Sequence, residues 1–427
     1  KQTGIKLRVV KPEHAQYIEK FSTMFMSNDI PDIVEVPPQD YMRIASQKVL
    51  SPLKKYIEES PTLSKVLKTN PDVINALEYK GEIYGVQKEI GNGSLVYVRK
   101  DWLDTLKISM PKNYDEFYNM LVAFRDKDPD GNGKKDTIGF TASMKDQYSN
   151  EGFLAPILVD ARLGFYKKDG KWVDGFSEDA MLKAMERMAK LYKEGLIEPD
   201  VFTLATADTR NKFYTGNTGC FSYWAGGWND TINLNLKNNI PTASVVAMPA
   251  LEGGYFFNRI APSFAIPAKC ASGNPEAVFK YFFDYIYDGG KGTMWATSGV
   301  EGVHYKMENG KPVALPALSA PEKARNVPVK TMIAGEGTIV PNPGYTFPLT
   351  DDCKNSSAVF AASAKTWDLV PPTPTFTKYN ADILLLRQSV LAEVMKGVIT
   401  PAAGMEKYKT TMKQYEIDKI IEEINNF

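Results

Sequence analysis

"DKDPDGNGKKDTIGF", residues Asp126–Phe140, reads as a metal loop between a helix and an extended segment. Asp128, Asp130, Asn132, Lys134 and Asp136 fall on alternate positions, with Gly133 where the loop must turn sharply. That spacing matches the opening of an EF-hand loop, in which alternate carboxylates, a main-chain carbonyl at the seventh position and an oxygen at the ninth surround calcium. Lys134 would give its carbonyl only. The bidentate Glu that closes such a loop is absent, because Gly139 stands there. Ile138–Phe140 reads as extended chain, so the unit is helix–loop–strand and not a paired helical sensor. Thr137 or a water would complete the shell, and the loop is taken as residues 128–139. The bland alternative is a solvated Asp/Asn/Gly turn.

The chain before the loop reads as a helix. Asn113 suits the N-cap, Asp115 and Glu116 the first turn, and Phe117, Met120, Leu121 and Phe124 one apolar face. The same alternation of short extended runs and amphipathic helices continues outward, which predicts α/β layers around mostly parallel sheets. Strands are expected at Asp32–Val36, Ser94–Val98, Gly219–Tyr223, Ser244–Met248 and Pro262–Ile266. Ser177 is the expected cap of a helix burying Met181, Leu182, Met185, Met188 and Leu191 and stopping at Gly195. Asn274-Pro275 starts another that ends at Gly289-Gly290, and Asp169-Gly170 and Asn309-Gly310 read as hairpin turns. Pro341–Pro348 and Pro371–Pro374 read as irregular connections.

Composition bounds the rest. With 427 residues there is length for two or three domains. Lys plus Arg and Asp plus Glu are 51 each, so no global field draws the chain to nucleic acid. The cysteines, Cys220, Cys270 and Cys353, are scattered and odd in number, which fits buried thiols better than a disulfide framework. No apolar run is long enough to span a bilayer. Lys1–Ile5 reads like the end of a Gly-capped helix, so an upstream segment carrying an export signal is expected.

Most enzyme chemistry lacks its residues. The two histidines, His14 and His304, have no metal-ligand partner at helical spacing. Gly-x-Ser-x-Gly and Walker motifs are absent, and Gly91-Asn-Gly93-Ser lacks the third glycine of a dinucleotide loop. Carboxylate pairs for glycoside cleavage stay open, since the separation that counts is spatial.

Aromatic residues carry the stronger signal. In "CFSYWAGGWND", Cys220–Asp230, Tyr223, Trp224 and Trp228 surround Ala225-Gly226-Gly227, with Asn229 and Asp230 beside them. A strand ending in small residues between indoles suits a sugar site, where ring faces pack C–H faces and amides or carboxylates bond hydroxyls. Core packing is the alternative for these rings. Trp367 is a further candidate, whereas Trp102 and Trp172 read as structural.

With these pieces the chain resembles the extracellular solute-binding proteins of family 1, carbohydrate receptors of bacterial ATP-driven importers. "FSTMFMSNDIPDIVEV", "GEIYGVQ" with "SLVYVRKDWLDTLKI", "YTGNTGCFSYWAGGW" and "GVEGVHYKMENGKPV" carry the likeness, and "DKDPDGNGKKDTIGF" resembles the calcium loop of the alginate-receptor subgroup. The resemblance implies an α/β fold of two lobes, of the class II periplasmic-binding-protein type, with a ligand cleft and hinge. One lobe is expected at 1–97 plus 266–345, the other at 98–265 plus 346–427. It implies capture of an oligosaccharide by lobe closure and delivery to a membrane permease, with a structural Ca2+ and no catalysis. A monomer held at the cell surface by an N-terminal lipid is expected, extracellular in a Gram-positive bacterium or periplasmic in a Gram-negative one.

Trp224, Trp228 and Trp367 are the expected stacking platforms, with Tyr223 beside the first two and Phe264 near the second crossing. Asn28, Asp29, Gln87, Glu89, Asn92 and Asp230 would bond hydroxyls, while Arg210 and Lys88 would meet an acidic sugar. Equal charge totals favour a neutral ligand. Two other classes remain: a calcium-stabilised polysaccharide lyase or glycoside hydrolase, which would consume its ligand, and a non-transport attachment module.

Overall fold

Ser94–Arg99 reads Ser-Leu-Val-Tyr-Val-Arg, and all six residues are buried. A strand covered on both faces belongs inside a layered sheet. The computed structural model describes residues 4–10, 12, 16–27, 29–90, 92–145, 150–315, 339–340, 349–366 and 368–427. His14 lies outside them. The buried strand lies between Val245–Met248 and Thr218–Trp224, and Ile138–Thr141 completes a four-stranded sheet at the far side of Thr218–Trp224. Leu95 stands opposite Tyr223, and Val98 opposite Cys220.

The chain divides into two compact units, Lys1–Gly91 with Ile260–Pro348 and Asn92–Arg259 with Leu349–Phe427. The crossings expected from sequence are 97/98, 265/266 and 345/346. Whole strands account for the difference at the first two crossings, and the third expected crossing lies outside the described residues. Ser94–Arg99 pairs entirely within the second unit's sheet, and Ser263–Ala265 entirely within the first's.

The first unit is built on a three-stranded sheet, ordered Val34–Val36, Ser263–Ala265, Val86–Gln87. Both pairings are antiparallel, with Val34 opposite Ala265 and Ser263 opposite Gln87. Leu53, Ile57, Leu63, Phe264, Phe279, Phe282 and Phe283 form its core. Asn274 caps the following helix as expected, accepting the Ala277 N–H at 3.0 Å. The fully buried stretch Ser94–Arg99 begins the second unit, whose core gathers Trp102, Phe117, Phe124, Phe140, Phe213 and Phe221. Trp102 meets Phe124 edge-on at 5.3 Å, the structural role read for it. Three helices, Pro374–Met395, Pro401–Gln414 and Ile417–Asn425, belong to this unit. Arg387 fastens the first of them to the second and to the hairpin before Gly175, donating to Tyr408 Oη at 3.1 Å and to Asp174 Oδ1 at 3.0 Å.

The expectation of mostly parallel sheets is corrected. In the four-stranded sheet only Thr218–Trp224 and Ile138–Thr141 run parallel. The strand that arrives from the other unit runs against its neighbours, as Ser94–Arg99 and Ser263–Ala265 both do. The cap of the helix Asp179–Lys193 is also corrected. Glu178 holds that place, because Ser177 is drawn into a short turn where its hydroxyl donates to Asp174 at 2.6 Å. Met181, Met185, Met188 and Leu191 are buried along the helix as read.

Local signals decide the turns. Asp169-Gly170 and Asn309-Gly310 each take positive φ at both residues, as two-residue hairpin turns require. Cys220, Cys270 and Cys353 are buried free thiols. Among the described residues no helix is long and apolar enough to cross a membrane.

Candidate functional site

The helix Tyr114–Asp126 is capped by Asn113, whose side chain accepts the Glu116 N–H at 3.0 Å. Its last turn delivers the chain into the acidic loop. Asp128 takes positive φ, as do Gly131 and Gly133, so the loop turns sharply at each. Asp128 accepts two backbone N–H groups, from Asn132 at 3.1 Å and Gly133 at 3.0 Å. The Asn132 amide donates to Asp130 at 2.9 Å and to Asp136 at 3.1 Å, so it stands between these two carboxylates. Asn132 Oδ1 accepts the Lys134 N–H at 2.7 Å. Thr137 is buried, and its hydroxyl donates to the Phe124 carbonyl at 2.7 Å, closing the helix end.

The donor set suits a hard cation, since it is all oxygen on short side chains. Burial pushes the Asp130 carboxyl above its ordinary pKa, and the Asp128 and Asp136 charges add to the rise. A divalent ion among them would relieve that crowding. Among the described residues no group of three or more His, Cys, Asp or Glu is drawn together tightly enough to hold a metal.

The second feature lies where Thr218–Trp224 ends. Tyr97 donates to the Trp224 carbonyl at 2.8 Å and shares a hydrogen bond with Ser356 at 2.9 Å. The Gly226 N–H donates to the same Ser356 hydroxyl at 3.1 Å. This buried network fixes the turn Trp224–Gly227, and the helix Trp228–Asn239 starts directly after it. Trp228 meets Tyr223 edge-on at 4.7 Å, and Arg210 rests over both rings, 4.9 Å from Trp228 and 5.3 Å from Tyr223. Tyr223 is itself buried, its phenol pushed up by burial and pulled down by the Arg210 charge.

Trp224 is half-buried and carries Arg259 at 4.4 Å. Asn92 joins the two segments, donating to the Ala225 carbonyl at 3.2 Å while its own carbonyl accepts the Arg259 N–H at 3.2 Å. Gly93 must be glycine. A Cβ there would lie 1.8 Å from the Phe257 carbonyl oxygen.

Beyond Phe257 the wall continues with residues that sequence reasoning missed. Arg162 lies 4.6 Å from the Phe257 ring, 5.0 Å from Tyr166 and 5.4 Å from Tyr255, and Lys365 lies 4.4 Å from Tyr255. Glu151 is buried beneath, 2.9 Å from Arg162. These residues come from distant parts of the chain, so no spacing announces them. The aromatic run "YFFNR", Tyr255–Arg259, is the one local signal.

The remaining expected residues are placed as follows. Asp230 accepts the Thr350 hydroxyl at 2.6 Å. In the first unit Gln87 is buried, with its amide donating to Val73 O at 2.6 Å and accepting the Ala261 N–H at 2.9 Å. Lys88 pairs with Glu35 at 3.0 Å and lies 6.0 Å from the buried Phe264 ring. Glu89 is half-buried, and Asp29 is exposed. Asn28 and Trp367 lie outside the described residues.

A profile of bacterial extracellular solute-binding proteins matches residues 1–288. Lipoprotein LipO of Bacillus subtilis is 29% identical over 229 residues, 51% of this chain and 44% of LipO. The polygalacturonan/rhamnogalacturonan-binding protein YtcQ of the same species is 25% identical over 329 residues, 73% of this chain and 63% of YtcQ. The chain thus spans less than two thirds of the length of either relative. Among solved structures, an HMO-binding solute-binding protein associated with an ABC transporter of Bifidobacterium longum infantis aligns over 97% of this chain and 90% of its own, with TM-score 0.75 and 18% identity. At that identity the likeness speaks for the two-lobed fold alone.

Proposed function

The chain belongs to the bacterial extracellular solute-binding proteins, and from that premise we propose that it is the receptor of an ABC importer for an oligosaccharide. It captures the sugar by closing its two lobes and presents it to the membrane permease, leaving every bond of the sugar intact. The observation that carries the reading is the wall of aromatic rings around Trp224 and Trp228, fixed by the Tyr97–Ser356 network. Half-buried indoles on a rigid strand end suit the C–H faces of sugar rings.

Capture is a population shift: contacts from both lobes favour the closed state, and the permease reads closure. Calcium in the Asp128–Thr137 loop is a structural ion. Asp128, Asp130, Asn132 and Asp136 would hold it by their side chains, Lys134 by its carbonyl, with Thr137 next to it. Its bound charge would offset the crowded carboxylates and keep the loop from fraying. The receptor works as a monomer at the outer cell surface, tied to the membrane by an N-terminal lipid.

Thermal shift against a panel of oligosaccharides, with product analysis of every hit, tests the reading. A raised melting temperature with the sugar recovered whole is the expected result. A cleaved sugar would move the protein to the lyase or hydrolase class.

A further inference from the structure

We propose that the aromatic wall of the second unit receives a carboxylated oligosaccharide, with Arg210 pairing one of its carboxylates; this rests on the receptor reading above. A neutral sugar offers hydroxyls that both donate and accept, so a site for it mixes acceptors with donors. This wall is lined by cations. Arg210 lies over Trp228 and Tyr223, Arg259 over Trp224, Arg162 over Phe257 and Lys365 over Tyr255.

Several of the acceptors close to them are engaged. The Asn92 carbonyl oxygen of the side chain accepts the Gly93 N–H at 2.8 Å, and its amide donates to Ala225. Asp230 holds Thr350. Glu151 is buried against Arg162 and also accepts the Leu163 N–H at 3.2 Å. Each ring of the wall thus carries a cation, although the chain's charges balance at 51 each.

Arg210 is the sharpest case. It makes no ion pair among the described residues, and its Nε is buried without a hydrogen-bond partner. A buried N–H without an acceptor is costly, and Arg210 has no carboxylate among the described residues to offset its charge. Aromatic rings on one side dehydrate the guanidinium, one of whose N–H groups is engaged by the Tyr223 hydroxyl, and a carboxylate suits the N–H groups that remain. Trp228 and Tyr223 hold the guanidinium at the end of the central strand, where the sugar ring would lie against Trp224.

The test is calorimetry on the full chain with trigalacturonate and trimannuronate, their carboxyl-reduced counterparts, and a sulfated trimer. At least one uronate should bind about tenfold or more tighter than its reduced form, and more weakly as salt rises. Arg210→Ala should lose about tenfold or more of uronate affinity, and a much larger fraction of it than of the reduced trimer's. Arg210→Lys, which keeps the charge without the guanidinium, should fall between the native chain and Arg210→Ala. Melting curves of the free variants show that each is folded.

Equal or tighter binding of reduced trimers overturns the carboxylate inference and leaves the receptor standing. Preference for the sulfated trimer overturns it in favour of a sulfate ester. Uronate binding untouched by Arg210→Ala removes Arg210 from the site. Failure of every trimer, charged or neutral, removes the receptor reading as well.

Discussion

At Glu151 two physical effects oppose each other. Burial raises its carboxyl pKa, while the Arg162 charge and the Leu163 N–H lower it, and burial prevails, leaving the group at about 7. The unfolded chain would hold it near the ordinary value of about 4.3. Between those values the folded form keeps a proton that the unfolded form releases, so this group's favourable contribution is full below the lower value and fades as pH rises through the upper. The melting temperature should therefore decline from about pH 5 to about pH 8 more steeply in the native chain than in Glu151→Gln. Parallel curves would show that Arg162 holds the carboxylate charged throughout. Gly93 is a steric case. Gly93→Ala must displace either Phe257 or its own strand, and should cost about 1–3 kcal/mol or more in denaturant unfolding. The sequence shows Gly93 only as part of an incomplete phosphate-loop pattern. What constrains it is a carbonyl far along the chain, and sequence spacing holds no record of that.

The acidic loop is the element with the most to test. Asp128 supports the loop with or without an ion, through its two backbone N–H bonds, whereas among the described residues Asp136 is bonded only to the Asn132 side chain. Asp128→Ala should lower stability in chelator by about 1–2 kcal/mol. Asp136→Ala should leave the chelated melt unchanged and reduce the rise that calcium brings. A chelated melt that calcium does not raise in the native chain would remove the ion from the proposal. Elements such as this are legible because their signals are local: the Asn113 cap, the alternate carboxylates and the hairpin glycines each act within a few residues. Strand direction is not legible, because Ser94–Arg99 takes its orientation from partners at Thr218–Trp224 and Val245–Met248. The cationic half of the aromatic wall is hidden for the same reason, since Arg162, Arg259 and Lys365 meet their rings only after the sheet has formed.

On the scale of the whole molecule, a receptor that closes on its cargo becomes more compact when it binds. Small-angle scattering should show a smaller radius of gyration with a bound oligosaccharide than without, and an unchanged radius would leave an attachment module as the better description. Each unit is assembled from two separate lengths of chain, and this fixes an order of events during synthesis. Val34–Val36 is among the first strands made, yet its partner Ser263–Ala265 emerges only after more than half of the chain. Until then the first unit has no central strand, and pairings between distant residues form slowly even once both are present. Ribosome-bound chains that stop short of Ser263 should leave Val34–Val36 open to protease, and longer chains should protect it; early protection would contradict this order. The four strands of the second unit's central sheet all lie between Ser94 and Met248, so the unit that starts later can close its central sheet before the one that starts first, and the order of closure is the reverse of the order of appearance.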